Sequence, residues 1–242
     1  MIKKFRKRYS AFRYRGYLKK RERASWAPYD LSIYRQLVLQ IARLPDLEFM
    51  PFLENQKHSE KIQIFVRHDI DTHRCIGNLS PLLNIDRSAT VCAGVYFRVD
   101  DEEYLLRGYR EVIRFYRDSG FEVGLHTCCY TKDNVFEEFK RETEKFAEEA
   151  GFWPTSFSVH GLGDYRQAAR IKFYREIANR LEEFGYKFGD IPPLRSYDYV
   201  VQDCHFDENR NFFIYDDFVH LPLFFPKGTT FLILTHPCYW RV

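Results

Sequence analysis

Two aspartates one residue apart close an apolar run, Val66-Arg67-His68-Asp69-Ile70-Asp71. Three histidines stand in comparable places, each just behind a short apolar stretch. His126 follows Phe121-Glu-Val-Gly-Leu125, His160 follows Phe157-Ser-Val159, and His236 follows Phe231-Leu-Ile-Leu234 with one threonine between. Asp190 follows another short run near Tyr186. Taken singly, each has an ordinary reading: Asp-x-Asp after a strand suits an Asx turn, and a histidine behind an apolar run suits a satisfied core imidazole. Taken together they form a set with a chemistry. One carboxylate and two neutral imidazoles hold a divalent metal ion, zinc first, and leave a coordination position open. A second carboxylate can take a proton from water, and a further histidine can protonate a leaving group.

Such a set works only if the chain brings it to one opening. The apolar patterning predicts that it does. Asp30 is placed to cap a helix whose apolar positions Ile33, Leu37, Ile41 and Leu44 recur at helical spacing before Pro45. After a polar linker, Ile62-Gln-Ile-Phe-Val66 reads as the first clear strand. Strands and helices then alternate: a strand over 89–98, a helix over 101–119, a strand over 121–125, a helix over 135–150, a strand over 155–159, a helix over 167–184 and a short strand over 186–188. The remainder reads as β-rich, with strands at 197–201, 218–225 and 230–235 and a hairpin near 207–211. Repeated strand–helix units with short connections imply a parallel sheet, open or closed into a barrel. All strand C-termini of such a sheet open on one face, and the chemistry-bearing residues sit at those ends.

The combination resembles the polysaccharide deacetylases of the NodB-homology superfamily, carbohydrate esterase family 4. The resemblance covers about residues 60–240, through Arg67-His-Asp-Ile-Asp-Thr72, Glu122-Val-Gly-Leu-His-Thr127, Ser158-Val-His-Gly161, Gly185-Tyr-Lys-Phe-Gly-Asp190 and Leu234-Thr-His-Pro237. The Arg-His-Asp-Ile-Asp form looks most like the WbmS-like branch associated with surface-polysaccharide genes. The resemblance implies an α/β fold, a distorted (β/α) barrel over 60–242, with a basic arm and helix over 1–59 as an appendage. It implies Asp69 as catalytic base, Asp71 and His126 as metal ligands and His236 as catalytic acid. The second histidine of the family's metal motif is replaced by Tyr130, a poor zinc ligand. The expected third ligand is therefore His160, at the end of the next strand. Arg166 lies near the place of the family's arginine motif and is assigned no role.

The implied activity is metal-dependent removal of an N-acyl group, acetyl first, from a sugar precursor of a surface glycan. A backbone N–H after His126 is expected to help hold the oxyanion. The Tyr130 substitution sustains an alternative, an inactive barrel that binds a glycan or a partner. Tyr239 and Trp240 read equally as a sugar-stacking pair or as a seal on the barrel's side. His68 is expected to point away from Asp69, because alternate strand residues face opposite ways. His73, His205 and His220 are given no role.

Composition bounds the rest. With 242 residues, 45% apolar and 29% charged, the chain has ample material for a core and is neither disordered nor fibrous. No apolar stretch approaches the roughly 20 residues of a membrane span, and no secretory h-region follows the first lysines, so a cytoplasmic location is expected. The six cysteines show no Cys-x-x-Cys pair and read as reduced thiols. The net charge of +3 hides an asymmetry: residues 1–23 carry eleven Lys and Arg against Glu22 alone, which leaves the rest acidic. Interleaved with aromatics, that segment suits an anionic membrane surface at the inner face, a solvated, partly disordered arm, or a helix packed on the domain's own acidic face. Nucleic acid is not an expected partner.

Overall fold

The computed structural model describes residues 30–51, 59–99, 109–131, 133–160, 167–190, 197–203 and 221–240. The basic segment, the hairpin near 207–211, His205, His220 and Arg166 lie outside these residues. In chain order the elements are α1 (Leu31–Ile41), β1 (Leu47–Phe49), β2 (Ile62–Ile70), α2 (His73–Ser88), β3 (Gly94–Phe97), α3 (Arg110–Asp118) and β4 (Glu122–Thr127). They continue with α4 (Val135–Ala150), β5 (Ser156–Val159), α5 (Gln167–Ile177), β6 (Phe188–Asp190), β7 (Tyr199–Gln202) and β8 (Thr230–Thr235). Short 3-10 turns occupy Cys129–Thr131, Leu181–Phe184 and Pro237–Tyr239.

Every described strand pairing is parallel, and the sheet runs β6-β5-β4-β3-β2-β8-β7, with β1 paired beside the start of β2. A closed barrel of β2 to β8 would need each of these neighbours plus a β6–β7 contact. That one pairing is absent among the described residues, so the sheet is a curled half-barrel with its seam between β6 and β7. The expected distorted α/β barrel is the fold observed.

The nine residues of β2 are all buried, because helices cover one sheet face and the barrel interior the other. Even-numbered residues Ile62, Ile64, Val66 and Ile70 join the large core with Phe231 and Ile233 of β8 and Val123 and Leu125 of β4. Odd-numbered Phe65 joins Met50, Tyr96, Leu232 and Leu234 in a second, smaller cluster on the interior side. Gly124 faces that interior, where an added Cβ would lie 2.6 Å from Tyr96 Cε1 and against the Ser156 carbonyl. The missing side chain makes room for the Tyr96 ring.

Several elements depart from the sequence expectation. Helix α2 was not foreseen, since Gly77, Asn78, Ser80 and Pro81 weaken the helical signal and its buried stripe includes the polar Asp86. Its packing of Cys75, Leu79, Leu82, Leu83 and Ile85 overrides propensity. Strand β3 therefore begins at Gly94 rather than 89, after a turn at Thr90 with φ of 60°. The helix expected over 101–119 is observed as Arg110–Asp118, its first part lying outside the described residues. The helix expected over 167–184 ends at Ile177 and resumes as a 3-10 turn closed by Gly185 in the left-handed conformation. Residues 221–224, expected as strand, are helical. Asp30 does cap α1, its carboxylate accepting from the Ser32 amide at 2.8 Å.

Helix α1 packs into the same core through Tyr34, Leu37, Val38 and Ile41. Behind the sheet lies a buried polar knot. The Tyr34 hydroxyl donates to Asp86 Oδ1 at 2.6 Å, and His68 Nε2 meets Asp86 Oδ2 at 2.6 Å. His68 Nδ1 contacts Thr235 Oγ1 at 2.5 Å, so α1, α2, β2 and β8 are joined at one point. His68 thus faces away from Asp69, as the alternation requires. No described helix is long and apolar enough to cross a membrane.

Gly124→Ala is expected to destabilise the protein by about 1–3 kcal/mol, the usual cost of forcing extra volume into a packed interior. Urea denaturation should show a lower midpoint with an unchanged slope.

Candidate active site

The rule that places Phe65 in the interior also places the chemistry. Along β2, Arg67, Asp69 and Asp71 share the parity of Phe65, so their side chains leave on the interior side at the strand's C-terminal end. His126 shares the parity of Gly124 in β4, His160 that of Ser158 after β5, and His236 that of Leu234 after β8. Because all these strands are parallel, the four groups emerge at the same end.

Asp71 lies at the centre. Its Oδ1 is 3.4 Å from His126 Nε2 and 3.3 Å from His160 Nε2, and its Oδ2 is 3.6 Å from His236 Nε2. Ligand atoms of Asp71, His126 and His160 all fall within 4.8 Å of one another, the one such cluster among the described residues. Asp71 Oδ1 and His126 Nε2 are buried and complete no hydrogen bond. Two unsatisfied polar atoms facing one point are costly unless a further group binds there. The donor set, one carboxylate oxygen and two imidazole nitrogens, fits a divalent ion of the zinc type. His126 is turned for this role by Ser158, whose Oγ lies 2.7 Å from Nδ1 and leaves Nε2 to the opening.

The charges follow from burial and contact. Burial raises the Asp71 pKa, but His160, His126 and His236 around it prevail and hold it well below the ordinary carboxylate range. Burial pushes His126 well below an ordinary histidine against the pull of Asp71, which keeps the ring neutral as a ligand must be. Asp69 lies 3.5 Å from His126 Nε2 and accepts from Arg67 at 2.8 Å. Its burial raises its pKa, and Arg67 and His236 offset that only in part.

His236 is held from behind. Its Nδ1–H donates to Asp203 Oδ1 at 2.7 Å, and its backbone N–H donates to Asp203 Oδ2 at 2.8 Å. Trp240 Nε1–H donates to the same Oδ2 at 2.8 Å. Burial would lower the His236 pKa, but the bond and charge of Asp203, with Asp69 and Asp71, raise it to about 9. The imidazole is therefore charged at neutral pH, with Nε2–H turned toward Asp71 and the opening.

The structure brings together five of the six residues singled out from the sequence, Asp69, Asp71, His126, His160 and His236. The side chain of Asp190 lies outside the described residues. Tyr130 does not occupy a ligand position: it is buried and its hydroxyl donates to the His160 carbonyl, bracing the loop that carries that histidine. The tyrosine and tryptophan after His236 face different surroundings. Trp240 is buried against Tyr34, with ring centroids 5.4 Å apart, and seals the barrel side. Tyr239 is 44% exposed beside the His236 ring, at 5.6 Å. Sequence reasoning missed Asp203, Arg67 and Ser158. Asp203 carried a signal, since it closes Val200-Val-Gln202 as Asp71 closes β2. Arg67 and Ser158 stood in the motifs quoted for the family resemblance, but only strand parity pointed to their contacts.

No family model matches the sequence, and no curated protein matches it. Among solved structures, the chain is similar to the catalytic domain of a peptidoglycan N-acetylglucosamine deacetylase from Eubacterium rectale, at 13% identity over 72% of this chain and 76% of that one, with a TM-score of 0.46. A polysaccharide deacetylase from Bacillus cereus is similar at 13% identity over 72% and 79%, TM-score 0.43. A CE4 family pseudoenzyme from Bacillus anthracis is similar at 15% identity over 80% and 59%, TM-score 0.45. At these identities and scores the likeness carries no functional weight.

Replacing Asp203 by Asn removes the charge behind His236. In the metal-free protein, the His236 pKa, followed by its imidazole proton resonances, should fall from about 9 toward an ordinary histidine value. The sign for stability follows. A raised folded pKa stabilises the protein fully below the unfolded value of about 6.5, and that contribution is lost as pH rises through the folded value. Metal-free wild type should therefore lose stability between about pH 6.5 and 9 relative to Asp203→Asn.

Proposed function

We propose that the protein is a metal-dependent amide hydrolase that removes an N-acyl group, acetyl first, from a sugar. The observation that supports this best is the set of roles within one opening. A three-donor cluster, Asp71, His126 and His160, stands beside a buried carboxylate of raised pKa, Asp69, and a charged imidazole, His236. A divalent ion held by that cluster would polarise the acyl carbonyl and acidify a bound water.

The residues then divide the proton work. Asp69 accepts a proton from the attacking water, and its raised pKa makes it the better base. Arg67 fixes the carboxylate by binding Oδ2, which leaves Oδ1 buried and without a hydrogen bond. His236 donates from Nε2 to the departing amine, while Asp203 holds the imidazolium through Nδ1. Tyr130 and Ser158 keep His160 and His126 in place. The motif resemblance supports an acylated sugar as substrate, and its WbmS-like first motif supports a precursor of a surface polysaccharide. On this reading the reaction takes place in the cytoplasm, with residues 1–23 against anionic lipid.

A second reading, a binding barrel without turnover, was raised by Tyr130. The His160 position weakens that reason, because three donors meet without a histidine at 130. Metal content separates the two readings.

Wild type should bind about one zinc per chain in a calorimetric titration. Asp71→Ala and His160→Ala should each lose most of that binding while circular dichroism reports a folded protein. Tyr130→Phe should keep full stoichiometry. Retention of zinc by His160→Ala would remove that residue from the ligand set.

Asp69→Asn preserves shape and removes basicity. It should keep the metal and lose turnover on an N-acetylated sugar by about 10²–10⁴-fold. Loss of the metal in that variant would exchange the roles of Asp69 and Asp71.

A further inference from the structure

Helix α4 carries a carboxylate where its packing calls for an apolar side chain. Its buried stripe runs Val135, Phe139, Glu142, Thr143, Phe146 and Ala150, so Glu142 stands between two phenylalanines at helical spacing. Phe139 packs on Phe157 of β5, with ring centroids 4.9 Å apart, which presses this face of α4 against the sheet. Glu142 is 1% exposed there. A leucine would satisfy such a position, and a buried carboxylate is tolerated only where it is hydrogen-bonded.

Its bonds go to the turn that follows His126. Glu142 Oε2 accepts from the Thr127 hydroxyl, and from the Cys128 backbone N–H at 3.2 Å. Thr127 Oγ1 in turn accepts from the Cys129 N–H at 3.1 Å, where the chain enters the 3-10 turn Cys129–Thr131. The same segment grips the backbone of His160 at both its polar groups. The Thr127 carbonyl accepts from the His160 N–H at 2.9 Å, and the Tyr130 hydroxyl donates to the His160 carbonyl. Residues 127–130 therefore link His126 to His160, and Glu142 ties that link to the helix layer.

We propose that Glu142 is a positioning residue for the metal cluster, setting the spacing of the His126 and His160 imidazoles through the segment Thr127–Tyr130. The two rings lie edge to face with centroids 5.1 Å apart, and their Nε2 atoms converge on Asp71 Oδ1 at 3.4 and 3.3 Å. His126 has Ser158 behind its Nδ1. His160 has no such support, because its Nδ1 is buried and makes no hydrogen bond. Its ring is therefore aimed by its backbone, and the backbone is held by the segment that hangs on Glu142. The geometry stands on its own, whereas its consequence for metal affinity rests on the metal-binding reading above. Contacts that orient ligands from behind typically change metal affinity by about 10–100-fold when removed.

Two substitutions at Glu142 test this. Glu142→Leu suits the apolar stripe and removes the acceptor, and Glu142→Gln keeps an acceptor oxygen in the same place. The first readout is the nuclear Overhauser effect between the His126 and His160 ring protons in the metal-free protein. The second is zinc affinity by calorimetric titration. Glu142→Leu should remain folded by circular dichroism, show a weakened ring contact and bind zinc about 10–100-fold less tightly. Glu142→Gln should restore both, which separates loss of the acceptor from a general loss of packing. An unchanged ring contact in Glu142→Leu, or an equal loss in Glu142→Gln, would overturn the proposal. So would a wild type in which the two rings show no contact. Should Glu142→Leu fail to fold, Thr127→Val removes the hydroxyl that Glu142 holds and must weaken the same ring contact; an unchanged contact there overturns the proposal as well. The ring contact is read without metal, so a wild type that binds no zinc would count against the hydrolase reading alone, while the ring comparison still decides the role of Glu142.

Discussion

The period of two along parallel strands buried on both faces is the constraint on which the rest depends. In β2 it sends Ile62, Ile64, Val66, His68 and Ile70 to the helices and Phe65, Arg67, Asp69 and Asp71 to the interior. A slip of one residue would exchange the two sets, putting aspartates under helices and isoleucines in the opening. The same alternation in β4, β5 and β8 delivers His126, His160 and His236 to that opening. One hydrophobic pattern therefore specifies both core and site, and the large apolar cluster pins the register that the chemistry needs.

Burial then sets the charges. Four ionisable groups crowded out of water are tolerable only if their charges offset, and Asp71 among three imidazoles is the arrangement that achieves it. The two carboxylates of the Asp-x-Asp pair consequently behave oppositely, one held low by imidazoles and the other raised by burial. His126 and His236 are likewise pushed apart. One is neutral with a hydroxyl behind it, and the other is charged with a carboxylate behind it. Two environments thus separate residues of the same type into a neutral imidazole and a charged one.

A second layer of contacts keeps these positions. Tyr34 of α1 touches both sides of it, bonding Asp86 beneath His68 and packing edge-on against Trp240, which itself bonds Asp203. The N-terminal helix and the last turn of the described chain thus meet beside Asp203, which holds His236. His68 and Thr235 tie β2 to β8 on the helix side at the level where Asp69 and His236 leave on the other. Removing a partner from such a buried knot leaves a polar group unsatisfied, which costs more than the bond itself contributes.

The sequence by itself determined the fold class and the five residues of the opening. A strand's alternation and a residue's place at its end are local properties, written in runs such as Phe231-Leu-Ile-Leu234. It also determined which way His68 faces. It did not determine α2, because a helix containing Pro81 and Gly77, with a buried Asp86 in its stripe, exists through packing rather than propensity. Only the tertiary structure decided that His160 reaches Asp71 while Tyr130 braces it from behind, since strands β4 and β5 must be in register for either contact. The same holds for Asp203 behind His236. Such pairings join residues far apart in the chain, and no spacing along it encodes which carboxylate meets which imidazole until the barrel has curled.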